Sequence, residues 1–231
     1  YKLSSDEDLE FFMEHKDDEV YIMEEYVRGY VQTFDAIVDS KGQPLFESGN
    51  ISPKSIMDIV NDNSDSVYYL VKDVPDNIRS AGLRTIKAFG VRSRFIHLEF
   101  FVLTEDQEGL GRKGDVLGLE VNMRPAGGYT PDMYNYSQET DVYKIWADMV
   151  CYDKNTKPIG AHHFCAFYGR RDGNHYKLDD YEIRMKYADN IVMSGRIPDA
   201  LSGAMANQMY VGRFDTEEEL NAFYRDLSDR F

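Results

Sequence analysis

Hydrophobic positions recur with a period of two over Phe95–Phe101 (FIHLEFF). Ile96, Leu98 and Phe100 fall on one face of an extended chain, His97 and Glu99 on the other. The same alternation runs through Leu119–Arg124 (LEVNMR), where Leu119, Val121 and Met123 are directed to a core and Glu120, Asn122 and Arg124 share the opposite face. The connecting segment, TEDQEGLGRKGD, is polar and glycine-rich, as a hairpin connection is. The pattern predicts two antiparallel strands that bring Glu99 close to Glu120 and Asn122. Further strands are predicted near 20–27, 30–38, 43–48 and 66–72, with a turn at Lys41-Gly42, and again near 162–169 and 207–213.

Helical spacing accounts for much of the rest. Leu9, Phe12 and Met13 form an apolar stripe behind a Ser4 or Ser5 cap, with Asp6, Glu7 and Asp8 in the first turn. Pro75 opens a helix that runs to about Phe89 and ends at Gly90. Val142, Ile145, Trp146 and Met149 define an amphipathic helix over 139–150, and a largely surface-charged helix is expected near 178–187. Leu220, Phe223, Tyr224 and Leu227 give a closing helix after the Thr216–Glu219 capping box. No internal repeat or low-complexity segment interrupts the chain. DKNTKP at 153–158 is a polar turn and the best place for a boundary.

Composition narrows the function classes. A chain of 231 residues builds one large domain or two small ones. Its net charge of −15 argues against nucleic acid, whose phosphates require clustered Lys and Arg, and against anionic membrane surfaces. Solubility is the plain reading of that acidity. No apolar run approaches the 20 or so residues of a membrane span. Two cysteines, Cys151 and Cys165, are too few for a disulfide scaffold and suit a reducing, cytoplasmic setting.

The candidate chemistry sits on the two alternating strands. A carboxylate and a neutral oxygen donor suit Mg²⁺, which takes few protein ligands and shares the rest with phosphates and water. The planar fork of Arg124 suits phosphate oxygens. Pro125, Gly127 and Gly128 then break the strand and let backbone approach a ligand. Other residues carry less. Adjacent histidines such as His162-His163, beside Cys165, make a poor chelate on a strand, and His97 is better read as a neighbour of the site than as a ligand. Asp35 faces either the nucleotide or solvent. Arg170-Arg171 reads by default as a surface pair, the alternative being contact with a substrate carboxylate or phosphate, and Tyr129 and Thr130, just past the glycines, are placed for substrate contact.

HLEFF and LEVNMRPAGG together resemble the metal-binding strands of the ATP-grasp superfamily, in its carbamoyl-phosphate-synthase-like branch. Upstream, YIMEEYVRG (Tyr21 to Gly29) resembles that superfamily's adenine-binding hinge. The resemblance covers about residues 1–150 and is to the C-terminal half only. It implies an α+β fold: a mixed, mostly antiparallel sheet flanked by helices, with a small α/β C-terminal extension. It divides the chain into 1–28 (end of the lid and hinge), 29–150 (metal and phosphate site) and 151–231 (extension). Carried over residue by residue, Glu99, Glu120 and Asn122 hold Mg²⁺ or Mn²⁺, Arg124 contacts the transferring phosphate, and Glu24, Glu25, Tyr26 and Val27 line the purine of ATP. The implied activity is carboxylate–amine ligation through an acyl phosphate. It makes C–N bonds from small-molecule carboxylates and amines.

YKLSSDEDLEFFMEHK resembles the last strand and helix of a lid, and it contains no glycine-rich phosphate loop. The expectation is therefore a C-terminal fragment, inactive when isolated, whose missing N-terminal ATP-grasp portion is its first partner. A homo-oligomer is compatible with this. The alternative is a non-catalytic nucleotide-binding or structural half that needs a partner chain. A plain acidic α+β interaction domain is a third reading, which magnesium-dependent nucleotide binding separates from the other two.

Overall fold

The computed structural model describes residues 1–53, 59 and 62–231. Within them the strands are β1 (Gly29–Val38), β2 (Pro44–Ser48), β3 (Asn50–Ser52), β4 (Ser66–Leu70), β5 (Arg94–Leu103), β6 (Val116–Asn122), β7 (Phe164–Arg170), β8 (Ile191–Arg196) and β9 (Gln208–Phe214). The helices are α1 (Asp6–His15), α2 (Asp76–Phe89), α3 (Thr130–Ser137), α4 (Val142–Tyr152), α5 (Asp180–Lys186), α6 (Asp199–Met205) and α7 (Glu217–Ser228). Every strand pair is antiparallel. All nine strands form one sheet in the order β6-β5-β1-β3-β4-β7-β9-β8, with β2 alongside β1. The fold is α+β.

Two helical layers sandwich this sheet. On one face α2 covers β1, β5 and β6 through Ile78, Ala81 and Ile86 against Phe34, Ala36, Ile96 and Leu98. Further along that face α5 and α7 cover β7 and β9 through Ile183, Leu220, Phe223 and Leu227. On the opposite face α3 and α4 pack Met133, Tyr134, Ile145 and Met149 onto Ile37, Leu70, Phe95, Phe167 and Val211. Residues from 151 onward contribute β7, β9 and β8 to the same sheet, β7 pairing with β4 at Leu70↔Cys165. Cys165 is wholly buried in the α3/α4 core, and burial pushes its thiol pKa up.

Local signals in the chain explain many of the boundaries. The Ser5 side chain accepts the Asp8 N–H at the start of α1. The α2 helix ends at Gly90, which takes the left-handed conformation (φ 60°) that glycine adopts at no steric cost. Both halves of the Thr216–Glu219 capping box are formed, and Asp179–Glu182 closes a second one at α5. The helix expected over 139–150 begins later, at Val142, because Asp141 accepts the Lys144 N–H and caps it.

Three expectations are corrected. The strand predicted near 20–27 does not form, and 16–28 has no regular structure. Its backbone finds no pairing strand among the described residues. The stripe on α1 buries nothing: Leu9 and Met13 are exposed. Leu119, directed to the core by alternation, is 46% exposed. The pairing of β5 with β6 steps from Glu99↔Glu120 to Phe100↔Gly118, so Leu119 is the extra residue of a β-bulge.

Gly82 shows how tightly α2 lies on the sheet. A Cβ there would stand 2.3 Å from the Phe34 ring. Helix propensity favours alanine over glycine by about 1 kcal/mol, but overpacking costs about 1–3 kcal/mol. Gly82→Ala is therefore expected to lower stability, by roughly 1 kcal/mol net. A urea midpoint that rises in the variant would contradict this packing.

Candidate functional site

Antiparallel register decides which polar residues meet. One row across the sheet is Asp35↔His97↔Asn122 and the next is Thr33↔Glu99↔Glu120. All six belong to the α3/α4 face, and the rows lie beside Ile37↔Phe95, where that core begins. The hydrophobic alternates of the same strands, Phe34, Leu98 and Val121, bury against α2. The core thus fixes the parity of the polar face, since a slip of one residue would turn every side chain over.

A chain of hydrogen bonds runs outward along this face. The Asn50 N–H donates to Thr33 Oγ1 at 2.9 Å, and Thr33 Oγ1 donates to Asp35 Oδ2 at 2.5 Å. His97 donates from Nδ1 to Asp35 Oδ1 at 2.5 Å and from Nε2 to Glu99 Oε1 at 3.0 Å. Asp35 is 0% exposed and His97 8%. Burial by itself would lower the His97 pKa. The facing Asp35 and Glu99 carboxylates outweigh it and raise the pKa to about 10, so both ring nitrogens carry protons at neutral pH. The Glu99 pKa is lowered, chiefly by the His97 hydrogen bond and also by the Arg124 charge, with the Glu120 carboxyl alongside.

Glu120 and Arg124 are exposed, and Glu99 and Asn122 are half-buried. Arg124 lies two residues past the end of β6, where Nη1 donates to the Pro125 carbonyl at 2.9 Å. The loop through Gly127 and Gly128 then turns into α3. Gly128 (φ 60°) has Met205 against it, with Cε 2.8 Å from where a Cβ would stand. Three side-chain groups in this region are buried without a hydrogen-bond partner: Asn122 Nδ2, Ser48 Oγ and the Tyr134 hydroxyl. Burial, reinforced by Asp35, raises the Tyr134 pKa well above its ordinary value.

The donor set fits a hard cation that keeps water and phosphate ligands. Two carboxylates stand opposite each other with the Asn122 amide on the same face; its oxygen is the donor a hard cation takes, while its unsatisfied nitrogen needs an acceptor instead. Among the described residues no three His, Cys, Asp or Glu side chains gather into a metal cage. Glu99, Glu120 and Asn122 could offer oxygens to a cation such as Mg²⁺ that takes few protein ligands. His97 has both ring nitrogens engaged by carboxylates.

The proposed hinge residues lie apart from regular structure. Glu24, Glu25 and Tyr26 are exposed and Val27 is half-buried. The Gln107 side chain, from the β5–β6 connection, accepts the Arg28 N–H at 2.7 Å and donates to the Tyr26 carbonyl at 3.1 Å. Lys2 Nζ sits 4.0 Å over the Tyr26 ring. This segment runs directly into β1, which carries Thr33 and Asp35.

Other sequence candidates resolve differently. Arg170 and Arg171 are buried rather than a surface pair. Arg171 donates to the carbonyls of Ser64, Ser202 and Gly203, and Arg170 to those of Leu178, Asp226 and Leu227. His162 and His163 precede β7 and meet separate acids, Asp73 at 3.0 Å and Asp215 at 2.6 Å. Thr130 is buried and donates to the Tyr68 hydroxyl at 3.2 Å, while Tyr129 packs on the α3/α4 core. Thr33, Ser48 and Tyr134 were not foreseen. For Thr33 the available signal was its two-residue spacing from Asp35.

No protein family matches the sequence, and no curated protein resembles it at a significant level. Solved structures do resemble its fold. An L-amino acid ligase from Bacillus licheniformis aligns over 89% of this chain and 51% of its own, at TM-score 0.62 and 15% identity. A phosphoribosylglycinamide synthetase from Anaerococcus prevotii aligns over 87% and 53%, at TM-score 0.56 and 14% identity. The ADP complex of purK, an N5-carboxyaminoimidazole ribonucleotide synthetase, aligns over 87% and 49%, at TM-score 0.55 and 11% identity. The chain spans about half the length of these proteins. At such identities the likeness is one of fold, and these neighbours share the ATP-grasp architecture. Over most of its length, then, this chain has the ATP-grasp fold.

Proposed function

We propose that this chain is the metal- and phosphate-binding part of an ATP-dependent carboxylate–amine ligase that works through an acyl phosphate. One observation carries the reading: register sets Glu99 opposite Glu120 and His97 opposite Asn122, with the Arg124 charge near enough to help lower the Glu99 pKa. In this reading 1–28 holds the end of the lid and the adenine hinge, 29–150 the site, and 151–231 an extension beside it. Glu24, Glu25, Tyr26 and Val27 line the purine. The free Cys151 and Cys165 agree with a cytoplasmic setting. No helix among the described residues is long and apolar enough to cross a membrane.

The chemistry asks for charge neutralisation on the transferring phosphoryl group rather than for a protein nucleophile. Glu99, Glu120 and Asn122 would hold Mg²⁺ or Mn²⁺, which when bound would supply most of that neutralisation. Arg124 supplies the rest through a bidentate contact. Arg124→Lys keeps the charge but loses the fork, so turnover of the complete ligase is expected to fall on the order of 10²-fold. A fall of less than about threefold on that scale would show that Arg124 does not touch the phosphoryl group.

The 231-residue chain by itself is expected to bind nucleotide weakly, in a Mg²⁺-dependent way, and to release no ADP. Glu120 and Arg124 are open to water, and exposed charges are screened and give no dry, preorganised field. The test incubates the chain with ATP, Mg²⁺ and pools of carboxylates and amines. Nucleotide binding indifferent to Mg²⁺ sinks the metal–nucleotide reading. Robust ADP release that needs both substrates overturns the claim that the site must be closed from elsewhere.

A further inference from the structure

We propose that His97, anchored by Asp35, is a positioning residue that aims the Glu99 carboxylate at a divalent cation shared with Glu120 and Asn122; this rests on the metal–nucleotide reading above. Asp35 lies on β1, one strand further from β6 than Glu99, and is wholly buried. It cannot reach a ligand on the open face. Its two oxygens are held instead, Oδ2 by the Thr33 hydroxyl and Oδ1 by His97 Nδ1. The ring is thereby fixed, and its other nitrogen holds Glu99 Oε1 at 3.0 Å.

Two physical consequences favour a role toward the cation. A glutamate on an open strand face samples several rotamers, and ordering it at the moment of binding costs affinity. With Oε1 tied to His97, the carboxylate is ordered before any cation arrives, and Oε2 is left to coordinate. Glu99 and Glu120 are also directly opposite each other, a like-charge pair that weakens a sheet. The imidazole N–H of His97 offsets that repulsion from behind without blocking the outer face. Groups that hold a metal ligand from behind in this way typically change metal affinity by about 10–100-fold when removed.

The test is a Mn²⁺ titration of the 231-residue chain, read from paramagnetic broadening of the Asn122 side-chain amide in an NMR spectrum. That amide reports on this site even though an acidic protein collects Mn²⁺ elsewhere. His97→Phe, which keeps a ring but loses both N–H groups, is expected to need about 10–100 times more Mn²⁺. His97→Gln, which restores a donor toward Glu99, is expected to recover most of the loss, and Asp35→Asn to fall between. A purely structural role would lower the folding midpoints of the Phe and Gln variants without separating their Mn²⁺ responses, and that outcome overturns the proposal. Glu120→Gln serves as the control. If it broadens like the parent chain, the metal reading itself fails. If it binds weakly while His97→Phe binds normally, only the positioning role fails. Should His97→Phe not fold, the parent chain decides with Mg²⁺. The His97 Nε2–H resonance is expected to move upfield in step with Asn122 as the cation draws on Glu99, and a resonance that stays still overturns the proposal.

Discussion

If the proposed ligase function holds, Glu120→Gln is expected to lower kcat/KM of the complete protein on the order of 10³-fold while leaving the fold unchanged. The magnitude follows from what the side chain supplies. A bound cation contributes several kcal/mol to charge stabilisation in such a transfer, and removal of a single preorganised stabiliser costs 10²–10³-fold. Glu120 is one of two carboxylates in the set, so its loss should stand at the upper end. Stability points the other way. Glu120 is exposed and faces Glu99 directly across the strand pair. Neutralising it removes a like-charge opposition and leaves no buried group without a partner. The measurement pairs steady-state kinetics with a thermal melt. Normal turnover in a well-folded variant would remove Glu120 from the site. Lost turnover with a collapsed melt would recast it as structural.

The second large effect concerns stability. Asp65 is 7% exposed and gathers five donors. Oδ1 accepts from Tyr176 Oη at 2.6 Å, the Arg171 N–H at 3.2 Å and Asn174 Nδ2 at 3.2 Å. Oδ2 accepts from Tyr168 Oη and Arg230 Nη2, each at 2.8 Å. Burial by itself would raise its pKa. The bonds from Tyr176, Arg230 and Tyr168 outweigh burial and hold the carboxyl below its ordinary value. These partners join β7, the segment after it and the C-terminal residues. Asp65→Ala is expected to cost roughly 3–5 kcal/mol, because removing one member strands the remaining buried polar groups. Chemical denaturation measures it, and a loss below about 1 kcal/mol would mean water replaces the carboxylate. The sign of the pH dependence follows from the lowered pKa. The stabilisation is complete above the ordinary value of 3.8 and is lost as pH falls through the folded value. Asp65→Asn should therefore flatten the acid limb of the stability curve below about pH 4.

Period-two alternation was strong enough to be read directly for β5 and β6. Both strands are half hydrophobic and half polar, and the glycine-rich connection between them leaves antiparallel pairing as the simple solution. That brings Glu99 near Glu120, but their direct facing depends on the bulge at Leu119, which alternation does not reveal. Helix ends were legible for a similar reason. Ser5, Gly90 and Thr216–Glu219 act within one turn of chain, so no distant contact overrides them. The fold likeness also entered at this level, through HLEFF and LEVNMRPAGG.

Tertiary structure decided what depends on a partner far away in sequence. Segment 20–27 has strand-forming residues, but a strand is made by its neighbour, and none pairs with it among the described residues. Leu119 obeys the alternation locally and breaks it in the sheet, because the β5–β6 register absorbs one extra residue there. Arg170 and Arg171 look like surface cations in a one-dimensional pattern. Burial is possible for them only because loop and helix-end carbonyls converge on their guanidinium groups. The role of Asp35 was open for the same reason. Thr33 lies two residues away, but His97 is 62 residues along the chain. Only the pairing of β1 with β5 turns an isolated strand acid into the buried end of a hydrogen-bonded chain that reaches Glu99. Short-range chemistry is written in the order of residues, while the partners of buried charge are set by which strands the hydrophobic core brings side by side.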